Sequence, residues 1–260
     1  MIALFVAFTT YAVIPIGPDI TLFGLNIPLV VADVNIGILY VLALSSLGIY
    51  AITLAGWSSG SKYSLLGGIR SSAQMISYEI SMGFSVGGVI LLAESLRPAA
   101  IISAQHGWMW NIILQPIGFI TFLVASFAET NRLPFDLPEA EPELVGGFHT
   151  EYSSMKFAGF FLAEYANMII ASTLIVTLYL GGWQIPYIEY LGLPTGLMIA
   201  FQVLGFFIKV GLLLFFFLWV RWSLPRFRYD QLMNLGWKVM FPLSLVNLVW
   251  VAVLIMVFKL

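Results

Sequence analysis

TGLMIAFQVLGFFIKVGLLLFFFLWV, residues 195–220, carries one ionisable side chain in its whole length, Lys209. An α-helix rising about 1.5 Å per residue needs about 20 apolar residues to cross the roughly 30 Å hydrocarbon layer of a bilayer, and this run exceeds that. Working outward, comparable runs fall at about residues 1–16, 32–55, 75–96, 110–128, 157–180 and 237–258. The chain is 60% hydrophobic and 9% charged, with a mean hydropathy of +0.97, beyond what a soluble domain of 260 residues carries. A transmembrane β-barrel would alternate apolar and polar residues over strands of about ten, whereas these runs are continuous. The expectation is an all-α polytopic membrane protein, one integral membrane domain of seven spans.

Residues 1–16 lack the basic start of a signal peptide and are read as a first span ending near Pro15. Between the second and third spans, GWSSGSKYSLLGGIRSSAQ (56–74) is rich in Gly and Ser and predicts a loop leading into a helix. Basic residues distribute unevenly over alternate connections. One side receives Lys62, Arg70, Arg132, Lys156, Arg221, Arg226, Arg228 and Lys238, the other only Arg97 and Lys259. The basic side is therefore expected to be cytoplasmic, or matrix or stromal in an organelle.

The chain has no cysteine and two histidines, His106 and His149, both in predicted loops. It cannot supply thiolates for an iron–sulfur cluster or a disulfide, nor paired intramembrane histidines for b-type haem, so no metal and no redox centre is expected in it. No nucleic-acid partner is expected either.

Chemistry concentrates in ETNRLPFDLPEAEPELVGGFHTEYSSMKF (129–157), where Glu129, Asp136, Glu139, Glu141, Glu143 and Glu151 face only Arg132 and Lys156. A solvated loop would need charge alone. Pro134, Pro138 and Pro142 stiffen this one, and Phe135, Leu137 and Leu144 interleave apolar groups, as a docking surface or a lined cavity would require. Within the predicted spans, Glu79, Glu129, Glu164 and Lys209 each cost about 2.5 to 3.5 kcal/mol to insert and ask for a reason. They are candidates for a chain along which protons or charge move. The bland alternative is a register-fixing ion pair, for example Lys209 with Glu164, but three acids against one base leave carboxylates over. Arg70 and Gln74 lie one helical turn apart and would suit a polar headgroup, with an ordinary juxtamembrane arginine against lipid phosphate equally open.

The strings GWSSGSKYSLLGGIRSSAQMISYE, AETNRLPFDLPEAEPELVGGFHTEYSSMKF and LPRFRYDQLMNLGWK closely resemble the H-type membrane subunits of NADH-quinone oxidoreductase, respiratory complex I, over essentially the whole chain. The resemblance implies a membrane-arm subunit that helps form the quinone chamber and starts an acidic path towards antiporter-like subunits. Glu79, Glu129, Glu164, Glu139, Glu141, Glu143 and Glu151 would then form the proton or charge path, with Lys209 as a further candidate. Arg70, Phe135 and Asp136 would lie near the quinone chamber and, with Gln74, make the candidate quinone-binding set. The Arg226 and Arg228 loop would meet neighbouring subunits. Quinone is the implied substrate. The implied partners are the peripheral-arm quinone-site subunits, small membrane subunits and the lipid bilayer, and the implied location is the bacterial inner membrane. The family also carries a further helix and an amphipathic segment ahead of the region matched here, so part of the quinone entrance is expected outside this chain. A related hydrogenase or ferredoxin-dependent complex, a stand-alone cation or proton transporter and a purely structural anchor are the alternatives.

Overall fold

The computed structural model describes residues 1–22, 25–107, 109–136, 147–186, 188 and 194–258. They form α1 (Ile2–Tyr11), an antiparallel hairpin of β1 (Ile20–Leu22) and β2 (Leu25–Ile27) with Ile20 opposite Ile27, α2 (Gly37–Ser58) and α3 (Lys62–Ala93). The short α4 (Pro98–Ala104) and α5 (Asn111–Leu114) precede α6 (Pro116–Glu129), and a single 3-10 turn (Gly147–His149) leads to α7 (Ser154–Tyr179) and α8 (Thr195–Ser223). Finally α9 (Tyr229–Asn234) runs through a π-helical stretch (Leu235–Met240) into α10 (Phe241–Phe258). Five helices, α2, α3, α7, α8 and the composite Tyr229–Phe258, are long and apolar enough to cross a membrane, and α1 and α6 are shorter apolar helices. The protein is an all-α polytopic membrane protein, its one strand pair among the described residues confined to a connection.

Several element boundaries differ from those the hydropathy predicts. The first helix stops at Tyr11 rather than near residue 16, because Pro15 disfavours helical geometry just before it. The second starts at Gly37, not near residue 32. The run 110–128 is broken at Gln115, since Pro116 offers no amide hydrogen and instead begins α6 at a position where none is needed.

The largest difference lies in 56–74, where the expected loop is confined to residues 59–61 and the helix it leads into begins already at Lys62. Read along α3, the buried positions Ser64, Gly67, Gly68, Ser71, Gln74, Ser77, Ser81, Ser85 and Gly88 recur every three or four residues. In lipid such small residues are an interface signal, because they let backbones approach closely without a hydrophobic drive between helices. A Cβ on Gly56 would sit 2.7 Å from the Ser64 carbonyl oxygen, and one on Gly67 would sit 3.2 Å from Gly147 Cα. Helix α3 accordingly forms the centre of the bundle, packed against α2, α6 and α10. At 32 residues it rises about 48 Å. It overreaches the hydrocarbon layer.

Side chains from neighbouring segments meet the polar groups that interrupted helices expose. Asn247 of α10 accepts from the Gly118 amide at 2.9 Å and donates to Gln115 Oε1 at 3.2 Å, while Trp250 Nε1 donates to the Leu114 carbonyl at 3.1 Å. At the far end of α7, Asn111 donates to the Leu178 carbonyl at 2.7 Å and Gln105 to that of Thr177 at 3.0 Å. Lys209 completes this cap. Its ammonium donates to the carbonyls of Leu180, Gly182 and Gln184 at 2.8, 3.0 and 2.7 Å and lies 4.5 Å from the Trp110 ring centre. A cation at a helix C-terminus also complements the helix dipole. Nearby, Arg97 pairs with Asp33, whose hydrogen bond and charge hold the guanidinium more firmly protonated than usual.

Lys209 is therefore an anchor between α8 and the end of α7. Lys209→Met removes three charge-assisted hydrogen bonds and leaves their acceptors in an apolar setting, a loss of about 3 kcal/mol or more. The variant is expected to denature at lower temperature in detergent than the parent, with Lys209→Arg intermediate. Equal denaturation temperatures for parent and methionine variant would rule out the anchoring role.

Candidate functional site

Helix α6 ends on Glu129, and the turn that follows is held by α3 and by the segment that precedes α9. Gln74 of α3 is fully buried and donates to the Ala128 carbonyl at 3.0 Å and the Phe135 carbonyl at 2.8 Å. Phe135 closes the turn by donating its amide to the Arg132 carbonyl at 2.8 Å, and its ring packs edge-on against Tyr78 and against Phe227. The Phe227 amide in turn donates to the Pro134 carbonyl at 3.2 Å. Asp136 pairs with Arg226 at 2.8 Å, and Arg70 stacks its guanidinium on the Tyr229 ring at 5.2 Å. Residues 130–136 and 224–229 thus make one surface at the basic end of α3.

Beneath this surface the intramembrane acids converge. Arg132 turns inward, where its Nε lies 2.7 Å from Glu164 Oε1 on α7 and its guanidinium lies 4.5 Å from the Tyr165 ring centre. Only 6% of the Arg132 side chain and 16% of that of Glu164 are exposed, so this pair is shielded from both solvent and lipid. On the other side of the same space, Glu129 has Glu79 as its charged neighbour and a hydrogen bond from Ser45, and the Ser46 hydroxyl donates to Glu79. Glu79 comes from α3 and the two serines from α2.

Between these groups lies a cavity of about 90 Å³, lined by α1, α2, α3, α6 and α7. Its polar wall comprises Thr10, Ser45, Glu129, Thr130, Asn131, His149, Glu164 and Asn167, and most of the rest is aliphatic or aromatic. A water needs about 10 to 15 Å³ measured this way, whereas benzene needs a cavity of about 150 Å³. The space has room for several waters but not for a ring-sized substrate.

The structure brings Glu129 and Glu164 together in this space with Glu79 beside Glu129 and outside the cavity lining, and places Arg70, Phe135 and Asp136 above it. Gln74 shares α3 with Arg70 but is spent on backbone carbonyls rather than turned to a headgroup. Lys209 joins neither group. The pairing that the sequence offered, Lys209 with Glu164, is not formed, because Arg132 reaches Glu164 and Lys209 is held at the other end of α7. Glu151 is exposed just beyond the 3-10 turn, and Glu139, Glu141 and Glu143 lie outside the described residues. Sequence reasoning missed Arg132 as the buried cation, since a base beside a proline-rich loop reads as a topogenic charge. It also passed over Ser45 and Ser46, whose apolar run carries no local mark of function.

The family described as NADH dehydrogenase matches residues 1–252. The chain belongs to this family. Similar proteins include the H-type NADH-quinone oxidoreductase subunit of Cytophaga hutchinsonii, 50% identical over 99% of this chain and 75% of the relative, and that of Geobacter metallireducens, 51% identical over 95% and 72%. The NADH-quinone oxidoreductase subunit 8 of Rhodothermus marinus is 52% identical over 88% of this chain and 70% of its own length. The resemblance drawn from the sequence strings is thereby confirmed at family level.

Breaking one member of a buried ion pair leaves a charge behind and typically costs about 3 to 5 kcal/mol. Arg132→Leu should therefore markedly reduce the amount of folded chain recovered from membranes and its denaturation temperature, and Glu164→Gln added to it should restore much of both. If the single and double variants behave alike, the two residues are not energetically coupled.

Proposed function

We propose that the chain is a membrane subunit of a proton-translocating NADH-quinone oxidoreductase, forming one wall of the quinone chamber and passing the effect of quinone reduction to buried glutamates. The observation that carries this is the inward turn of Arg132: one seven-residue turn packs Phe135 and Asp136 against the 224–229 segment on one side and gives a buried guanidinium to Glu164 on the other. The names of the relatives supply the reaction and the assembly. This chain contributes positioning and charge, while electron carriers belong to its partners in the peripheral arm.

In this reading Arg70, Phe135 and Asp136 lie beside the quinone headgroup on the cytoplasmic side, with the 224–229 segment meeting a neighbouring subunit. Charge that appears in the chamber when quinone is reduced acts first on the Asp136–Arg226 pair and on the turn. A shift of the turn moves Arg132, which weakens its hold on Glu164 and lets that carboxylate take up a proton. Glu129 responds through the cavity it shares with Glu164, and with its neighbour Glu79 continues the path deeper into the membrane. Glu139, Glu141, Glu143 and Glu151 are the outer acids of the same path. Lys209 acts outside it, as the cap of α7. Seven spans with the basic connections in the cytoplasm of a bacterial inner membrane accommodate this arrangement, in one integral domain with small membrane subunits alongside.

A proton-transfer group in such a path typically contributes a factor of about 100 or more. In the assembled complex in native membranes, Glu129→Gln and Glu164→Gln should each lower coupled quinone reduction and proton translocation about tenfold or more. NADH oxidation by an artificial acceptor, which needs only the peripheral arm, should stay at the parental rate. Translocation at parental levels in both variants would refute the coupling role.

A further inference from the structure

Resting on the coupling role proposed above, we propose that Ser45 and Ser46, adjacent hydroxyls on α2, bridge the Glu129 and Glu79 carboxyl groups and govern which of the two holds a single shared proton. Successive residues of a helix point about 100° apart. Ser45 therefore reaches the end of α6 while Ser46 reaches α3, and one turn of α2 touches both acids.

The second observation is the Leu42 carbonyl. Ser45 Oγ lies 2.9 Å and Ser46 Oγ 3.0 Å from the same oxygen. A hydroxyl has one hydrogen and two lone pairs, and a carbonyl oxygen accepts twice. Beside an ionised carboxylate, each serine turns its hydrogen to the carboxylate. Beside a protonated carboxyl, the same serine accepts that group's hydrogen and turns its own to Leu42. The Ser46 amide of the helix occupies one lone pair of the Leu42 carbonyl and leaves the other as a spare acceptor, enough for the one serine that faces the protonated carboxyl. A fixed structural hydrogen bond would need only one of these partners.

Two neighbouring carboxylates repel each other when both are charged, and one proton held between them relieves that repulsion. Among the described residues no lysine or arginine pairs with either acid, because the nearby Arg132 is engaged by Glu164. The other groups facing the cavity are His149 from the 3-10 turn, Asn167 from α7, Asn131 after α6 and Thr10 from α1. Transfer within the pair moves one proton from one carboxyl to the other, and the pair carries one negative charge throughout. Ser45 and Glu129 line the cavity, whose room for several waters opens their side of the pair, while Glu79 is reached through the Ser46 hydroxyl.

The test uses the assembled complex with Ser45→Ala, Ser46→Ala, Ser45→Thr and Ser46→Thr. Losing a donor to the charged form favours the protonated carboxyl, so each alanine variant should move the limb of the pH profile for coupled quinone reduction upward by about one pH unit. Each threonine variant keeps the hydroxyl and should restore the parental profile. Infrared titration of the purified complex should show the band of a protonated carboxyl, lost in Glu79→Gln or Glu129→Gln and displaced in the alanine variants. Should the alanine variants fail to assemble, Ser45→Cys and Ser46→Cys, with a weaker donor, should give the same displacement in smaller degree. Unmoved profiles and an undisplaced band would overturn the proposal. A displaced band alongside intact pumping in the glutamine variants would sustain the serine bridge and defeat the coupling role instead.

Discussion

The close approach that α3 permits underlies the other arrangements in this protein. A helix lined on one face by Ser64, Gly67, Ser71, Ser77, Ser81, Ser85 and Gly88 lets α2, α6 and α10 come near its backbone. In lipid, association rests on contact and polar bonding rather than on removal of apolar surface from water, so the absence of side-chain bulk is itself the stabilising feature. The same closeness brings Glu79 of α3 within reach of Ser46 on α2, and sets Gln74 against the turn after α6.

A second constraint follows from the apolar surroundings. Wherever a helix stops or breaks inside the bundle, its exposed carbonyls and amides need partners from the protein itself. Asn247 and Gln115 meet the break before α6, and Gln105, Asn111 and Lys209 meet the end of α7. These groups rank among the most conspicuous polar residues in the sequence, yet their place is architectural. Polar character in a membrane span marks either a path or a repair. Geometry separates the two.

Helix α7 joins both kinds of site. Its C-terminal end is closed by an ammonium on three carbonyls, whereas Glu164, near its middle, is met by a guanidinium arriving from a turn. In the first arrangement the cation is held by backbone carbonyls, with no carboxylate paired to it among the described residues. The second joins a buried acid to a segment that also carries Phe135 and the Asp136–Arg226 pair, the contact on which the proposed coupling rests. Serines on α2 reach Glu129 and Glu79 beside it.

Membrane character, the number of apolar runs, the basic–acidic asymmetry and the family were legible in the sequence, because hydrocarbon imposes length and composition on each span and long motif strings survive as strings. Glu79, Glu129 and Glu164 were legible as well, each being costly where it stands. Their partners were not. Gly and Ser in residues 56–74 signal a loop in water and a helix interface in lipid, and only packing decides which. Arg132 and Lys209 exchange the roles their positions suggest: the loop arginine is buried on an acid, and the intramembrane lysine caps a helix. An ion pair depends on where side chains from distant segments meet, and that meeting is settled by the crossing of helices, which tertiary structure alone supplies.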